Sequence, residues 1–265
     1  MTVRLTGVFA HPDDDVYALG GTLLRHRGEV ELALVFATSG EAGPITDPSL
    51  ASRATLGAVR EREQRACLHA LGYADARVTF LRHPDYYLPD VPRERLAHEI
   101  EDVLRAERPH VVVTFGPDGM TSHHDHVRVG EAATAAFHAA RGAAPGDDGV
   151  FARLYYAALA RSDVDRFYAG VRNGGFDYGE EGRLFDVTGV ADDDVAVRVD
   201  TTPVRAPKLG AILEHRTQLV EHERVPEPLR WIHLDSECFV RAWPPRASGD
   251  APRAGLLDDL APARG

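Results

Sequence analysis

Val3-Arg4-Leu5-Thr6-Gly7-Val8-Phe9-Ala10 runs directly into His11-Pro12-Asp13-Asp14-Asp15. A short apolar run cut off by polar residues reads as a buried strand. Residues 16–27 then have helical character, and the Gly20-Gly21 pair permits close packing there. The same alternation continues. Strands are expected over 29–37, 77–81 and 110–115, and helices over 50–71, 92–107 and 127–140. The second helix keeps apolar residues at three-to-four spacing and meets a stop at Gly72.

These strands are continuous apolar runs, as in Val111-Val112-Val113. Strands of that kind alternating with helices mark a parallel sheet covered on both faces. The expectation is an α/β, Rossmann-like fold with a mostly parallel sheet and a smaller, irregular C-terminal part. Beyond residue 141 the pattern weakens. A strand is expected over 154–159, irregular chain over 167–182, a strand over 195–199 and a helix over 204–222. The organisation read from this is one domain over 1–241. Within it, 142–200 is a segment that shapes a pocket, and 242–265 is a loosely held tail in which Leu256, Leu257 and Leu260 could dock one turn.

The chain has 265 residues, 44% of them hydrophobic and 27% charged. That is ordinary globular composition, long enough to bury a core without disulfides or a structural metal. Lys plus Arg is 30 against 41 Asp plus Glu, a net charge of −11. A general nucleic-acid binder needs a basic footprint, and anionic lipid likewise favours basic surfaces, so neither partner is expected. The two cysteines, Cys67 and Cys238, are far apart and form no CxxC, which excludes a disulfide framework and a cysteine zinc site. Free thiols, no signal-like N-terminal run and no membrane span lead to a cytoplasmic expectation. Homo-oligomerisation is left open.

Two clusters carry the chemistry. His11 to Asp15 follows the first strand, and Ser122-His123-His124-Asp125-His126 follows the fourth. Both fall at the carboxyl ends of parallel strands, where open α/β sheets place their ligands. His11 and Asp14 are three apart, as are His123 and His126. Two imidazoles and a carboxylate suit Zn²⁺ or Fe²⁺, and three protein ligands leave a position open for water. Asp13 adjoins this set and could take a proton from such a water. A spare imidazole could stabilise an oxyanion. Taken singly, each cluster has a plainer reading: His-Pro-Asp as a turn before a helix, the acidic run as dipole-favoured residues, the histidines as a solvated helix start.

The sequence resembles the N-acetylglucosaminyl-phosphatidylinositol de-N-acetylase-like (PIG-L or LmbE-like) family. Ala10-His11-Pro12-Asp13-Asp14-Asp15 matches its A-H-P-D-D-E motif, and His123-His124-Asp125-His126 its H-x-D-H motif. Thr38-Ser39-Gly40-Glu41-Ala42-Gly43, Arg60-Glu61-Arg62-Glu63 with Leu71-Gly72, and His215-Arg216-Thr217-Gln218 look like three further family segments. The resemblance implies His11, Asp14 and His126 as metal ligands and Asp13 as the general base acting on metal-bound water. It implies His123 as a protonated imidazole stabilising the oxyanion, with Asp125 holding and tuning it. It implies a zinc-dependent hydrolase that removes acetyl from an N-acetylated amino sugar or a related small molecule. A mycothiol-S-conjugate-type amidase and a metal-binding, non-catalytic homologue are the alternatives. One departure is Asp15 where the family usually has Glu, a change expected to alter a hydrogen bond around the ligands rather than the ligands.

The resemblance also suggests that Arg60 and Asp85 line the sugar-binding side, with Glu41 a weaker candidate. The plainer readings are a helix salt bridge of Arg60 with Glu63 and a turn role for Asp85. Tyr86 and Tyr87 could stack on a sugar face or cover the core.

Overall fold

The computed structural model describes residues 2–144, 149–174, 187–219, 225–226, 229–246, 250–258 and 260. The strands are β1 (Val3–Phe9), β2 (Val30–Phe36), β3 (Arg77–Phe80), β4 (Val111–Phe115), β5 (Arg153–Ala158), β6 (Val197–Asp200) and β7 (Ser236–Trp243). The helices are α1 (Asp14–Arg25), α2 (Leu56–Leu71), α3 (Arg93–Glu107), the single turn α4 (Gly119–Ser122), α5 (His124–Gly142), α6 (Arg161–Asn173) and α7 (Arg205–Ile212).

The strands form one seven-stranded sheet in the order β3-β2-β1-β4-β5-β7-β6. β1 to β5 pair in parallel, and β7 runs antiparallel to both β5 and β6. This is the expected mostly parallel α/β sheet. Its central strands are apolar on both sides because both faces are covered, and Phe9, Phe36, Phe115 and Val111 to Val113 are buried. After β1 the chain departs to one side, through β2 and β3, and returns on the other side as β4. The loops leaving β1 and β4 therefore diverge, which opens a crevice at their carboxyl ends.

Helix limits follow local chemistry. α2 begins at Leu56 rather than at residue 50 because Ser52 and Thr55 bond to each other and to the backbone, which favours a turn. It ends at Gly72, whose φ of 87° suits glycine. α5 starts at His124, earlier than expected, because the His123 ring accepts the Asp125 amide and caps the helix. Gly130 brings α5 close to β4, since a Cβ there would lie 2.5 Å from the Phe115 carbonyl oxygen.

The C-terminal part is more regular than expected. Residues 161–173 are helical, where irregular chain was expected from 167; residues 175–182 lie outside the described residues. The helix expected over 204–222 stops at Ile212, and a turn at 216–218 follows; 220–222 lie outside the described residues. β7 was not anticipated and runs past residue 241. Arg253 pairs with Val197, and Leu256 and Leu257 are buried. A buried ion pair ties this half to the first. Lys208 Nζ lies 2.7 Å from Glu237 Oε1 and donates to the Tyr17 carbonyl, while Glu237 accepts the amides of Gly21 and Thr22.

Candidate active site

Side chains of the β1 and β4 loops face one another across this crevice. His11 Nδ1 is 3.5 Å from Asp14 Oδ2 and 3.2 Å from His126 Nε2, and His126 Nε2 is 3.3 Å from Asp14 Oδ1. Ligands about 2.0–2.1 Å from a tetrahedral metal stand about 3.3–3.4 Å apart, so the triangle has the size for one ion. The ring orientations fit too. His126 Nδ1 donates to the Gly119 carbonyl, which turns the Nε2 lone pair to the triangle, and the ring stacks on Phe115 with centroids 4.1 Å apart. His11 Nε2 faces Asp85 Oδ1 at 3.0 Å and Asp125 Oδ2 at 3.3 Å, leaving Nδ1 on the triangle side. A carboxylate behind a ligating imidazole is the usual support of a metal site. His11, His123 and His126 form a further compact donor set, as do His11, Asp85 and Asp125.

Three carboxylates, those of Asp14, Asp85 and Asp125, converge on the His11 ring. Burial opposes charge on His11, yet hydrogen bonds to Asp125, Asp14 and Asp85 raise its pKa well above the usual imidazole range. Burial likewise opposes the carboxylates, but His126 and His11 hold Asp14 well below its ordinary range, and His11 brings Asp85 down to about 2. A divalent cation satisfies the same carboxylates.

Asp13 stands beside the triangle in a left-handed backbone conformation (φ 115°). Its amide donates to Gln64 Oε1, and its Oδ2 accepts from Arg60 Nη2 at 3.0 Å. The buried Arg60 guanidinium also bonds the carbonyls of Pro12 and Gly40. Gly40 is required here, because a Cβ would sit 2.3 Å from Arg60 Nη1. Arg60 therefore pairs with Asp13, not with Glu63. Glu63 instead binds the amide and hydroxyl of Thr217, which docks the late segment on α2.

Asp125 differs from its expected place. Its carboxylate meets His11 and accepts the amides of Tyr86 and Leu88. Its link to His123 is through its backbone amide, which donates to His123 Nδ1. That bond leaves the proton of a neutral His123 on Nε2. Burial, with His11 and His126 nearby, lowers the His123 pKa to about 4. His124 Nε2 bonds the Tyr86 carbonyl and acts as a brace. Asp85 Oδ2 accepts the Ala42 amide and Glu41 accepts the Asp85 amide, so Glu41 orients the loop that carries Asp85. Asp15 is fully buried with Oδ2 on Gln64, and burial raises its pKa to about 7.

Backbone strain gathers around this site. Asp13, Tyr86, Met120 and Ser122 all have positive φ, a region that costs a residue with a Cβ about 1–2 kcal/mol. The site opens into a cavity of about 740 Å³. Its lining includes His11, Asp13, Arg60, Asp85, Tyr86 and His123, together with Ala157 to Ala160, Val164 and Phe167 from β5, α6 and the link between them. Within the pocket-shaping segment expected over 142–200, sequence reasoning named none of these residues, because α6 mixes charged and apolar positions and buries only Val164 and Val171. It also missed Gln64, whose signal was only its place one turn from Arg60.

Residues 7–137 match the family described as GlcNAc-PI de-N-acetylase, PIG-L. The chain is 30% identical over 263 residues to the 1D-myo-inositol 2-acetamido-2-deoxy-alpha-D-glucopyranoside deacetylase of Streptomyces avermitilis, covering 88% of this chain and 87% of that one. It belongs to the PIG-L family. The enzyme of the same description from Nocardiopsis dassonvillei is 33% identical over 243 residues, with 82% and 85% covered. Solved structures agree on the PIG-L fold. The N,N'-diacetylchitobiose deacetylase of Pyrococcus horikoshii superposes with a TM-score of 0.59 at 23% identity, covering 90% of this chain and 83% of that one. A 4-carboxy-2-hydroxymuconate hydratase from Pseudomonas putida reaches 0.62 at 20% identity, covering 95% and 100%. The fold thus serves more than one chemistry, and the argument for function lies in the site. No helix among the described residues is long and apolar enough to cross a membrane.

Proposed function

We propose that this PIG-L member is a zinc-dependent N-deacetylase acting on an N-acetylated amino sugar or a related small molecule. The observation that carries the reading is the triangle of His11 Nδ1, Asp14 and His126 Nε2 beside the Arg60-held carboxylate of Asp13. Those three residues would hold the ion; their N/O donor set accepts Fe²⁺ as well as Zn²⁺. Bound there, zinc supplies Lewis-acid polarisation of a carbonyl and lowers the pKa of water.

Asp13 takes the proton of the attacking water and returns it to the leaving nitrogen. Arg60 fixes Asp13 Oδ2, so the carboxylate cannot swing away. His123 offers an Nε2 proton to the oxyanion. Asp125 and Asp85 orient His11. Arg60 and Asp85 face the substrate, and Glu41 sets the Asp85 loop. The segment 142–200 shapes the far wall through Ala157 to Ala160, Val164, Phe167 and Val187. Cys67 and Cys238 are both free and buried, which suits a reducing, cytoplasmic setting.

The test is a panel of N-acetylglucosamine glycosides, including an inositol glycoside, and cysteinyl-amide thiol conjugates, offered to zinc-loaded protein. Acetate release from the glycosides is expected. Cleavage of the thiol conjugates alone would replace the reading with an amidase. No cleavage by metal-replete protein would favour a non-catalytic metal binder.

A further inference from the structure

Tyr86 is 58% exposed, lines the cavity beside His123 and Asp85, and has a φ of 72°. A bulky residue in that region is an outlier. The turn does not need the ring. Its fixed points are backbone groups: the Tyr86 amide donates to Asp125 Oδ2 at 2.8 Å, and the Tyr86 carbonyl accepts from His124 Nε2 at 2.8 Å. Glycine would make both bonds without strain. With more than half its surface in solvent, the side chain adds little to the core. A strained position that keeps an exposed aromatic ring at the mouth of a site points to a ligand for that ring.

The ring is held in place. It meets the His124 ring at 4.4 Å and 90°, and the Tyr87 ring at 6.0 Å and 80°. Such edge-to-face contacts restrict rotation. Arg60 and Asp85, groups that can bond hydroxyls, line the same cavity. A pyranose needs this combination. Its C–H face carries partial positive charge suited to an aromatic face, and its hydroxyls need polar partners at the edge.

We infer that Tyr86 is a platform on which the pyranose bearing the reactive acetamide lies, and that it selects cyclic sugars over linear amides. The inference rests on the deacetylase reading for the acetamide and stands on its own for the sugar. The test uses the zinc-loaded full chain carrying Asp13→Asn, so that ligand is not consumed. Dissociation constants are measured for methyl N-acetylglucosaminide and for N-methylacetamide, with Tyr86→Phe and Tyr86→Gly added in turn. Tyr86→Phe is expected to keep sugar affinity. Tyr86→Gly is expected to weaken it about tenfold, leave N-methylacetamide unchanged and melt no lower than its parent. Equal sugar affinity in all three, no sugar binding by the parent, or a Tyr86→Gly protein melting several degrees lower would each overturn the inference. Acetate release by wild type with Tyr86-independent sugar binding would sink the platform alone. Tyr86-dependent sugar binding without acetate release would sink the deacetylase reading alone.

Discussion

Arg60 Nη2 lies 3.0 Å from Asp13 Oδ2, and the same guanidinium spans the carbonyls of Pro12 and Gly40. One side chain on α2 thus fixes both the β1 loop and the proposed base on it. Arg60→Ala is expected to lower kcat about 10–100-fold while metal content stays at one per chain. Arg60→Lys should recover only part of this, because an ammonium cannot reproduce the planar fork. Steady-state kinetics with metal analysis on both variants checks the split; loss of metal in Arg60→Ala would assign the residue to ion binding instead.

Removing the ion should cost both activity and stability. A ligand present at a hundredfold excess over its Kd stabilises by about 2.7 kcal/mol, roughly 5–10 °C in Tm for a chain of this size. A chelator should therefore lower Tm by that order and abolish turnover, with recovery at one equivalent of zinc. His126→Ala and Asp14→Ala should show the low Tm from the start and no response to zinc. A chelator-insensitive Tm and turnover would contradict the placement of the ion.

The Lys208–Glu237 pair is buried at both ends, with side-chain exposure of 0% and 1%. Lys208→Met leaves Glu237 charged and short of a partner, which typically costs about 3–5 kcal/mol. Lys208→Met with Glu237→Gln removes the buried charge and keeps an amide oxygen for the Thr22 donors, with the NH2 group facing the Gly21 amide, so the double variant should recover part of the loss. Urea unfolding ranks them; a single variant as stable as wild type would mean the pair is not what joins α1 to β7.

That pair also shows where the sequence was legible and where it was not. The first half could be read because Val111 to Val113, the β1 run and Gly72 state their structure locally. The two ligand clusters could be read because each is short and each ends a strand. β7 could not, because Glu237, Cys238 and Phe239 are buried in succession without alternation, and Glu237 is buried where α1 amides and Lys208 receive it. The partner of Asp125 was hidden for the same reason. Its bonds to His11 and to the amides of Tyr86 and Leu88 depend on loops that only the sheet order brings together.

His215 gives a pH signature. It is buried, neither ring nitrogen has a hydrogen-bond partner among the described residues, and burial with the nearby Arg60 charge lowers its pKa to about 3. The unfolded chain protonates near 6.5, so between these values the unfolded state binds the extra proton. Stability from this group is complete above pH 6.5 and falls as pH drops toward 3, by up to about 1.4 kcal/mol per pH unit. Other groups titrate in the same range, so the measurement is the stability difference between wild type and His215→Gln. That difference should shift against wild type as pH falls from 6.5; a flat difference would show that the ring is charged or solvated in the folded state.

The most direct measurement is acetate release from an N-acetylglucosamine glycoside by wild type and Asp13→Asn, each carrying one zinc per chain. The account predicts turnover by wild type and a loss of about 100-fold or more in the variant at unchanged metal content. Equal rates in the two proteins would contradict it.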